Sequence, residues 1–251
     1  MIKEFGELIE QGNIEELKAV FDKCELDATG GYAKGTALGF ANVPDELVRW
    51  LVDEGADINA KDTYGRTPLH QHAMRRSGNL ALLLELGADI EATDTYGDTL
   101  LHMAAGSAFS LQMVQQLTQK GANIAAKNNK AATPLVRMLN RASNIDIESL
   151  PALVDILMLP GEPVTEEMQK AVVRIGESFE FHRENFYKNV AEAEKALASL
   201  YQRFDVAPVA KRQMHDGITP IVPQGDDWKK QFAYLWDLLI PSKGAAKNRT
   251  G

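Results

Sequence analysis

Apolar residues recur along this chain in short stripes with helical spacing. The stripes come in pairs, and each pair is closed by glycine and short polar residues. One pair is predicted over 68–76 and 80–86, split by Ser77-Gly78-Asn79. The next covers 100–106 and 111–120, and an earlier one covers 37–41 and 44–54, with Pro44 suited to a first helical turn. Upstream, 2–11 and 14–24 form another pair, broken at Gly12-Asn13, with polar outer positions Glu4, Glu7, Glu15 and Glu16. A further pair is predicted over 133–140 and, after a polar insert, 147–159. Longer helices follow. Met168, Val172, Ile175 and Phe179 place one over 165–182, and Phe186, Val190, Ala193, Leu197 and Leu200 place another over 186–204, with one long bent helix as the alternative. The segment 205–225 reads as loop, with Pro208, Gly217, Pro220 and Pro223 as breakers. A last amphipathic helix opens at Asp226-Asp227-Trp228, puts Phe232, Leu235, Trp236 and Leu239 on one face and stops at Pro241, leaving a small, basic 242–251 expected to fray.

The paired stripes are an internal repeat. Asp62-Thr63-Tyr64-Gly65-Arg66-Thr67-Pro68-Leu69-His70 returns as Asp94-Thr95-Tyr96-Gly97-Asp98-Thr99-Leu100-Leu101-His102, at 97 − 65 = 32 residues. It returns in weaker form as Asn129-Lys130-Ala131-Ala132-Thr133-Pro134-Leu135, where 133 − 99 = 34. An earlier degenerate copy is Gly35-Thr36-Ala37-Leu38-Gly39-Phe40-Ala41, where 65 − 35 = 30. Out of phase with these runs a second signal, Gly55-Ala56-Asp57-Ile58-Asn59, then Gly87-Ala88-Asp89-Ile90-Glu91, then Gly121-Ala122-Asn123-Ile124-Ala125. Each residue type has a mechanical reason. A threonine at a helix start accepts from free backbone N–H groups, and a proline at the first helical position forfeits no hydrogen bond. Leu69 and Ala73 fall on one helical face. The glycine ends the second helix in a left-handed conformation, and the aspartate after it bonds nearby backbone.

These two interlocked motifs resemble those of the ankyrin family, a turn plus Thr-Pro-Leu-His followed by Gly-Ala-Asp at a period near 33 residues. The resemblance covers roughly 12–162. It implies an all-α fold, an ankyrin-repeat solenoid of helix-turn-helix repeats with short β-hairpin-like loops. The division expected is 1–162 for the repeats with an N-terminal cap and 163–251 for a helical C-terminal capping region, since a stack of repeats needs polar ends. Arg174 to Arg183 and Met214 to Ile221 also resemble the tail of a group of bacterial ankyrin proteins.

Composition narrows the function. The net charge of −8 argues against nucleic acid or an anionic membrane as partner, both of which need a basic footprint. The apolar runs are too short to span a bilayer. The first residues, Met1-Ile2-Lys3-Glu4-Phe5-Gly6-Glu7, carry acids where a secretory signal carries basic residues, and Cys24 is the only cysteine, so a cytoplasmic location is expected. His70 and His72, two apart on a helix, point to different faces and do not converge on a metal. The resemblance gives His70 and His102 a structural part instead, tying loops between repeats. His182, amid Glu177, Glu180, Arg183 and Glu184, is a candidate acid or base, although such charges on a helix flank read more readily as a solvated face. Phosphate-loop, nucleophile-elbow and metalloprotease motifs are absent from the sequence. No enzyme activity, cofactor, metal or small-molecule ligand is expected.

The resemblance implies instead a protein-binding surface made of hairpin tips and the exposed side of each first helix. Carried onto this sequence, the tips hold Thr63, Tyr64, Arg66, Thr95, Tyr96, Asp98, Asn129 and Lys130. The first helices add Gln71, Met74, Arg75, Met103, Ser107, Arg137 and Arg141. Tyr64 and Tyr96 are expected side by side as anchors, with the alternative that Asp-Thr-Tyr-Gly is simply a favourable turn. Glu85, Asp89, Glu91, Asp94 and Asp98, extended by Asp57 and Asp62, suggest an acidic stripe and hence a basic partner. The expected function is a non-enzymatic interaction module, in its sharper form a bacterial cytoplasmic immunity protein that occludes a toxin. The alternatives are an effector or regulatory scaffold acting on a cellular or host protein, or an enzyme within 163–251 using His182 or His215.

Overall fold

The structure, a computed structural model, describes residues 5–40, 42–74, 79–106, 110–186, 189–212 and 221–239. Among the described residues the regular elements are helices, with β-pairing limited to isolated bridges at Gly30–Gly35 and Thr93–Thr99. Two compact units emerge, Met1–Met138 with Leu153–Pro160, and Leu139–Ala152 with Gly161–Gly251.

The first unit opens with α1 (Phe5–Gln11) and α2 (Ile14–Ala19). Asn13 caps α2 by accepting from the Glu16 amide at 2.9 Å. Phe5 is buried between the edges of Phe21 and Phe40, at ring distances of 5.9 and 5.3 Å, and so roots this pair against the following repeat. The repeats then supply α3 (Asp45–Asp53), α4 (Pro68–Ala73), α5 (Leu80–Glu85), α6 (Leu100–Ala105) and α7 (Ser110–Gln119). Leu38, Leu51, Leu69, Leu83, Leu100, Leu101, Val114 and Leu117 are almost wholly buried and form a core that runs through the stack. The first repeat departs from expectation. Ala37–Gly39 is a single 3-10 turn, with Phe40 already extended, where a helix over 37–41 was predicted. Pro44 lies one position further out than predicted, as the extended N-cap of α3.

The helix α8 (Pro134–Arg141) begins the last pair, and α9 (Leu150–Leu157) follows a 3-10 turn at Ile147–Ser149. In the second unit α10 (Glu166–His182) starts where the capping residues predicted, Thr165 accepting from the Met168 amide at 3.3 Å. Met168, Val172, Ile175 and Phe179 are buried along it, as are Ala193, Leu197 and Leu200 of α11 (Val190–Arg203). Within this unit Arg174 donates to the carbonyls of Leu139 and Ala142 at 2.8 and 3.1 Å, satisfying acceptors that α8 leaves open at its end. The final helix, α12 (Trp228–Leu239), places its aromatic stripe outward, with Trp228, Phe232 and Trp236 exposed. Tyr234 and Leu238, on the opposite side, line a cleft of about 910 Å³ with Phe181, His182, Val209 and Lys211.

Candidate functional site

The repeats of the first unit present two rows of turns, and the row that precedes each first helix carries the candidate contact residues. Each hairpin closes the same way. The Asp62 amide bonds the Arg66 carbonyl at 2.9 Å, Asp94 bonds Asp98 at 3.0 Å and Asn128 bonds Ala132 at 3.1 Å. Inside each tip one side-chain oxygen accepts two amides. Asp62 takes those of Tyr64 and Arg66, Asp94 those of Tyr96 and Asp98, and Asn128 those of Lys130 and Ala132, all between 2.8 and 3.1 Å.

The tips are also bonded to one another. The Thr63 amide donates to the Ala33 carbonyl at 2.9 Å, Thr95 to Tyr64 at 3.0 Å and Asn129 to Tyr96 at 3.0 Å. This ladder sets a register in which Ala33, Tyr64, Tyr96 and Lys130 occupy equivalent positions. The residue after each has a positive φ, at Lys34, Gly65, Gly97 and Ala131. The first copy is therefore offset by 65 − 34 = 31 residues, one more than the sequence alignment on Gly35 had it. Close approach explains the glycines. A Cβ at Gly65 would lie 2.8 Å from the Thr95 amide nitrogen, and one at Gly97 2.8 Å from that of Asn129.

Tyr64 and Tyr96 stand at consecutive rungs of this ladder with 38% and 64% of their surface open. The Arg66 guanidinium lies 5.2 Å from the Tyr64 ring centre, within cation–π range. Sequence reasoning missed Tyr32, whose side chain is 92% exposed at the first tip, because that hairpin reads Gly-Gly-Tyr-Ala-Lys-Gly and lacks the Asp-Thr-Tyr-Gly signature. A tyrosine 64 − 32 = 32 residues before Tyr64 was the signal available, although the ladder places it one position earlier in its tip than Tyr64 and Tyr96. Met74 and Lys130 are exposed and Met103 is half-buried.

Three candidates turn inward. Asp98 is only 3% exposed. Its carboxylate accepts from Arg137 Nε at 2.8 Å and from Asn128 Nδ2 at 2.8 Å, and Arg137 also donates to the His102 carbonyl at 3.3 Å. Gln71 donates to Asp62 Oδ2 at 3.0 Å, and its amide fills the space where a Cβ on Gly35 would lie. Gln71, Asp98 and Arg137 thus stitch repeats together. Arg141 is exposed at the end of α8, in the second unit, while Arg75 and Ser107 lie outside the described residues, as do His215 and 213–220.

Folding removes the tip residues from the acidic stripe. Asp62 and Asp94 are buried as turn acceptors, and Asp98 is buried against Arg137 and Asn128. Asp57 and Asp89 accept the Asn59 and Glu91 amides at 2.8 and 2.9 Å, and Glu91 takes the Asn123 amide at 2.7 Å. Glu85 pairs with Arg49 at 3.3 Å. Asp57, Glu85 and Asp89 stay exposed and Glu91 half-buried, so folding takes from the stripe only its share at the hairpin tips.

The histidines serve the scaffold. His70 and His102 are buried, each with Nδ1 at 2.9 Å from the Oγ1 of the capping threonine, Thr67 or Thr99. Both threonine amides point to the same Nδ1, which leaves the proton on Nε2, and His102 Nε2 donates to the Ala132 carbonyl of the next repeat at 3.0 Å. His70 Nε2 faces the Asp98 backbone without making a hydrogen bond of good geometry. Burial, only partly opposed by those carbonyls, holds both imidazoles below the ordinary histidine value. His72 points elsewhere, with Nε2 at 2.8 Å from the Leu38 carbonyl and Nδ1 accepting from the Asn79 amide at 3.0 Å. Among the described residues no group of three or more His, Cys, Asp or Glu side chains is arranged to hold a metal.

In the second unit His182 is exposed and donates through Nδ1 to the Ser178 carbonyl at 2.8 Å. Arg183 grips Glu180 through two bonds of 2.8 and 2.6 Å and Glu194 through one of 2.5 Å. That guanidinium, with Lys211 at 3.0 Å, holds the Glu194 carboxyl below its usual range. The Glu180 side chain is therefore engaged by Arg183 rather than by His182.

A stack of helix pairs, its turns hydrogen-bonded into a continuous row that offers aromatic and charged side chains to solvent, defines a helical-repeat binding scaffold. The particular class follows from comparison with known families. Residues 37–128 match the family model of ankyrin repeats in three copies, so that stretch of the chain consists of ankyrin repeats. No curated protein matches it. Ankyrin repeats are non-catalytic modules for protein–protein interaction, and this chain carries such a module. Among the described residues no helix is long and apolar enough to cross a membrane.

Proposed function

We propose that this chain works by binding rather than catalysis, gripping a folded protein along the hairpin edge of its repeats. The observation that carries the reading is the inter-tip ladder, which holds Tyr64 and Tyr96 in register and open to solvent. Backbone bonds on both sides of each tip pre-order it, so little conformational entropy is lost when a partner docks. Tyrosine adds a large ring surface and a hydroxyl for bonding. Arg66, Met74, Met103 and Lys130 complete the contact set, while Gln71, Asp98 and Arg137 hold the geometry beneath it.

The test is site-specific photo-crosslinking in the native cell, with the crosslinking residue placed at Tyr96 or, for comparison, at exposed Lys120 at the far end of α7. A protein adduct formed from the tip and not from position 120 is expected. Equal labelling from both positions would remove the hairpin edge as the binding face. With the captured partner purified, Tyr96→Ala should weaken binding by about 2 kcal/mol, roughly thirtyfold.

In its narrower form the partner is a toxin, and this chain is the cytoplasmic immunity protein that occludes it. The resemblance of Arg174 to Arg183 to the tail of bacterial ankyrin proteins supports that form. Burial of Asp62, Asp94 and Asp98 removes three of the seven carboxylates of the stripe that pointed to a basic toxin. Co-expression with the product of the adjacent gene should rescue growth if this form holds. Failure to rescue, with no complex formed, would remove the toxin while leaving the hairpin edge untouched.

A further inference from the structure

On a chain of net charge −8, the hairpin row has the opposite sign. Across the four tips the carboxylates are Asp62, Asp94 and Asp98, each buried, the first two accepting backbone amides and Asp98 accepting from Asn128 Nδ2 and Arg137. The exposed charges there are Lys34, Lys61, Lys127 and Lys130, with half-buried Arg66 beside them. Lys61 donates to the Thr93 carbonyl at 2.9 Å and Arg66 lies over the Tyr64 ring, so neither cation is neutralised by a carboxylate. Lys34, Lys127 and Lys130 have no ion pair among the described residues. Folding thus segregates charge. The acids at the tips, Asp62, Asp94 and Asp98, become internal acceptors, and the edge left open combines cations with the rings of Tyr32, Tyr64 and Tyr96.

Resting on the hairpin-edge reading above, we infer that the partner's contact surface is acidic: a protein segment whose carboxylates meet Lys34, Arg66 and Lys130 while its apolar atoms cover Tyr32, Tyr64 and Tyr96. Complementary charge sets register and speeds encounter, and the aromatic rings supply buried area. Pre-ordered tips suit a protein surface, whereas the acidic excess of the rest of the chain repels a polyanion as long as a nucleic acid.

The test uses the full chain, a random-peptide display library and two variants whose folding is checked by thermal denaturation. One variant reverses charge (Lys34→Glu, Arg66→Glu, Lys130→Glu) and the other removes the rings (Tyr32→Ala, Tyr64→Ala, Tyr96→Ala). Peptides selected on the unaltered chain should be rich in Asp and Glu. A synthetic leader peptide should bind the charge-reversed variant at least about tenfold more weakly, and should weaken as salt rises. Leaders without acidic enrichment, or acidic leaders that bind the charge-reversed variant equally well, overturn the inference. If those leaders still lose affinity on the ring-removed variant, only the charge assignment fails. Indifference to both variants defeats the hairpin edge as well. A poly-thymidine oligonucleotide that binds the tips more tightly than every leader peptide would overturn the commitment to a protein partner.

Discussion

Asp98 carries two roles that its sequence position does not distinguish. As the fifth residue of a hairpin it stands where Arg66 stands in the repeat before, a half-buried position. In the structure Arg137 reaches it from the next repeat, at 2.7 Å, and draws it under the surface. A buried carboxylate stripped of its cation keeps its desolvation cost without the compensating attraction. Arg137→Leu is therefore expected to cost about 3 kcal/mol in a urea titration. The double variant Asp98→Asn with Arg137→Leu should recover part of that loss. If Arg137→Leu alone leaves the midpoint unchanged, the pair is not a structural link between repeats.

The hairpin is the element on which the proposed binding depends, and its turn relies on one glycine. Gly65 and Gly97 take φ values of 72° and 74° exactly where the next tip's backbone passes close by. An alanine at 97 meets both a strained backbone and the Asn129 amide. Gly97→Ala should therefore destabilise the first unit by about 1–3 kcal/mol, read as a drop in melting temperature. At Lys34 and Ala131 the equivalent residue also has a positive φ, 51° and 57°, without glycine. The element least like its sequence reading is α12. Its amphipathic pattern predicts that Phe232 and Trp236 face a core, yet both are exposed and Tyr234 and Leu238 face the cleft instead. Periodicity locates such a helix well, but it does not say which side has something to pack against.

For the molecule as a whole, the buried histidines set an acid limit. His70 and His102 are held below the ordinary value of 6.5 when folded and regain it when unfolded. Below pH 6.5 the unfolded chain therefore binds more protons, and stability falls as pH drops from there toward the depressed folded values. Above pH 7.5 both states are neutral at these sites and the contribution is flat. Urea midpoints measured in this window should decline on acidification. His102→Gln should show a shallower slope, whatever its effect on the midpoint itself, and an unchanged slope would assign the acid sensitivity elsewhere.

Periodicity, the Thr-Pro-Leu-His turns and the Gly-Ala-Asp turns determined the all-α repeat and most helix positions, because each rests on contacts within about one repeat of chain. They also placed Tyr64 and Tyr96 in equivalent turns. The register of the first tip, the exposure of Tyr32, the burial of Asp62, Asp94 and Asp98 and the outward face of α12 were decided by tertiary structure alone. All four depend on what a neighbouring element brings within hydrogen-bonding or packing distance. The sign of the charge on the binding edge belongs with them, since a carboxylate counts toward a surface field only if folding leaves it facing water.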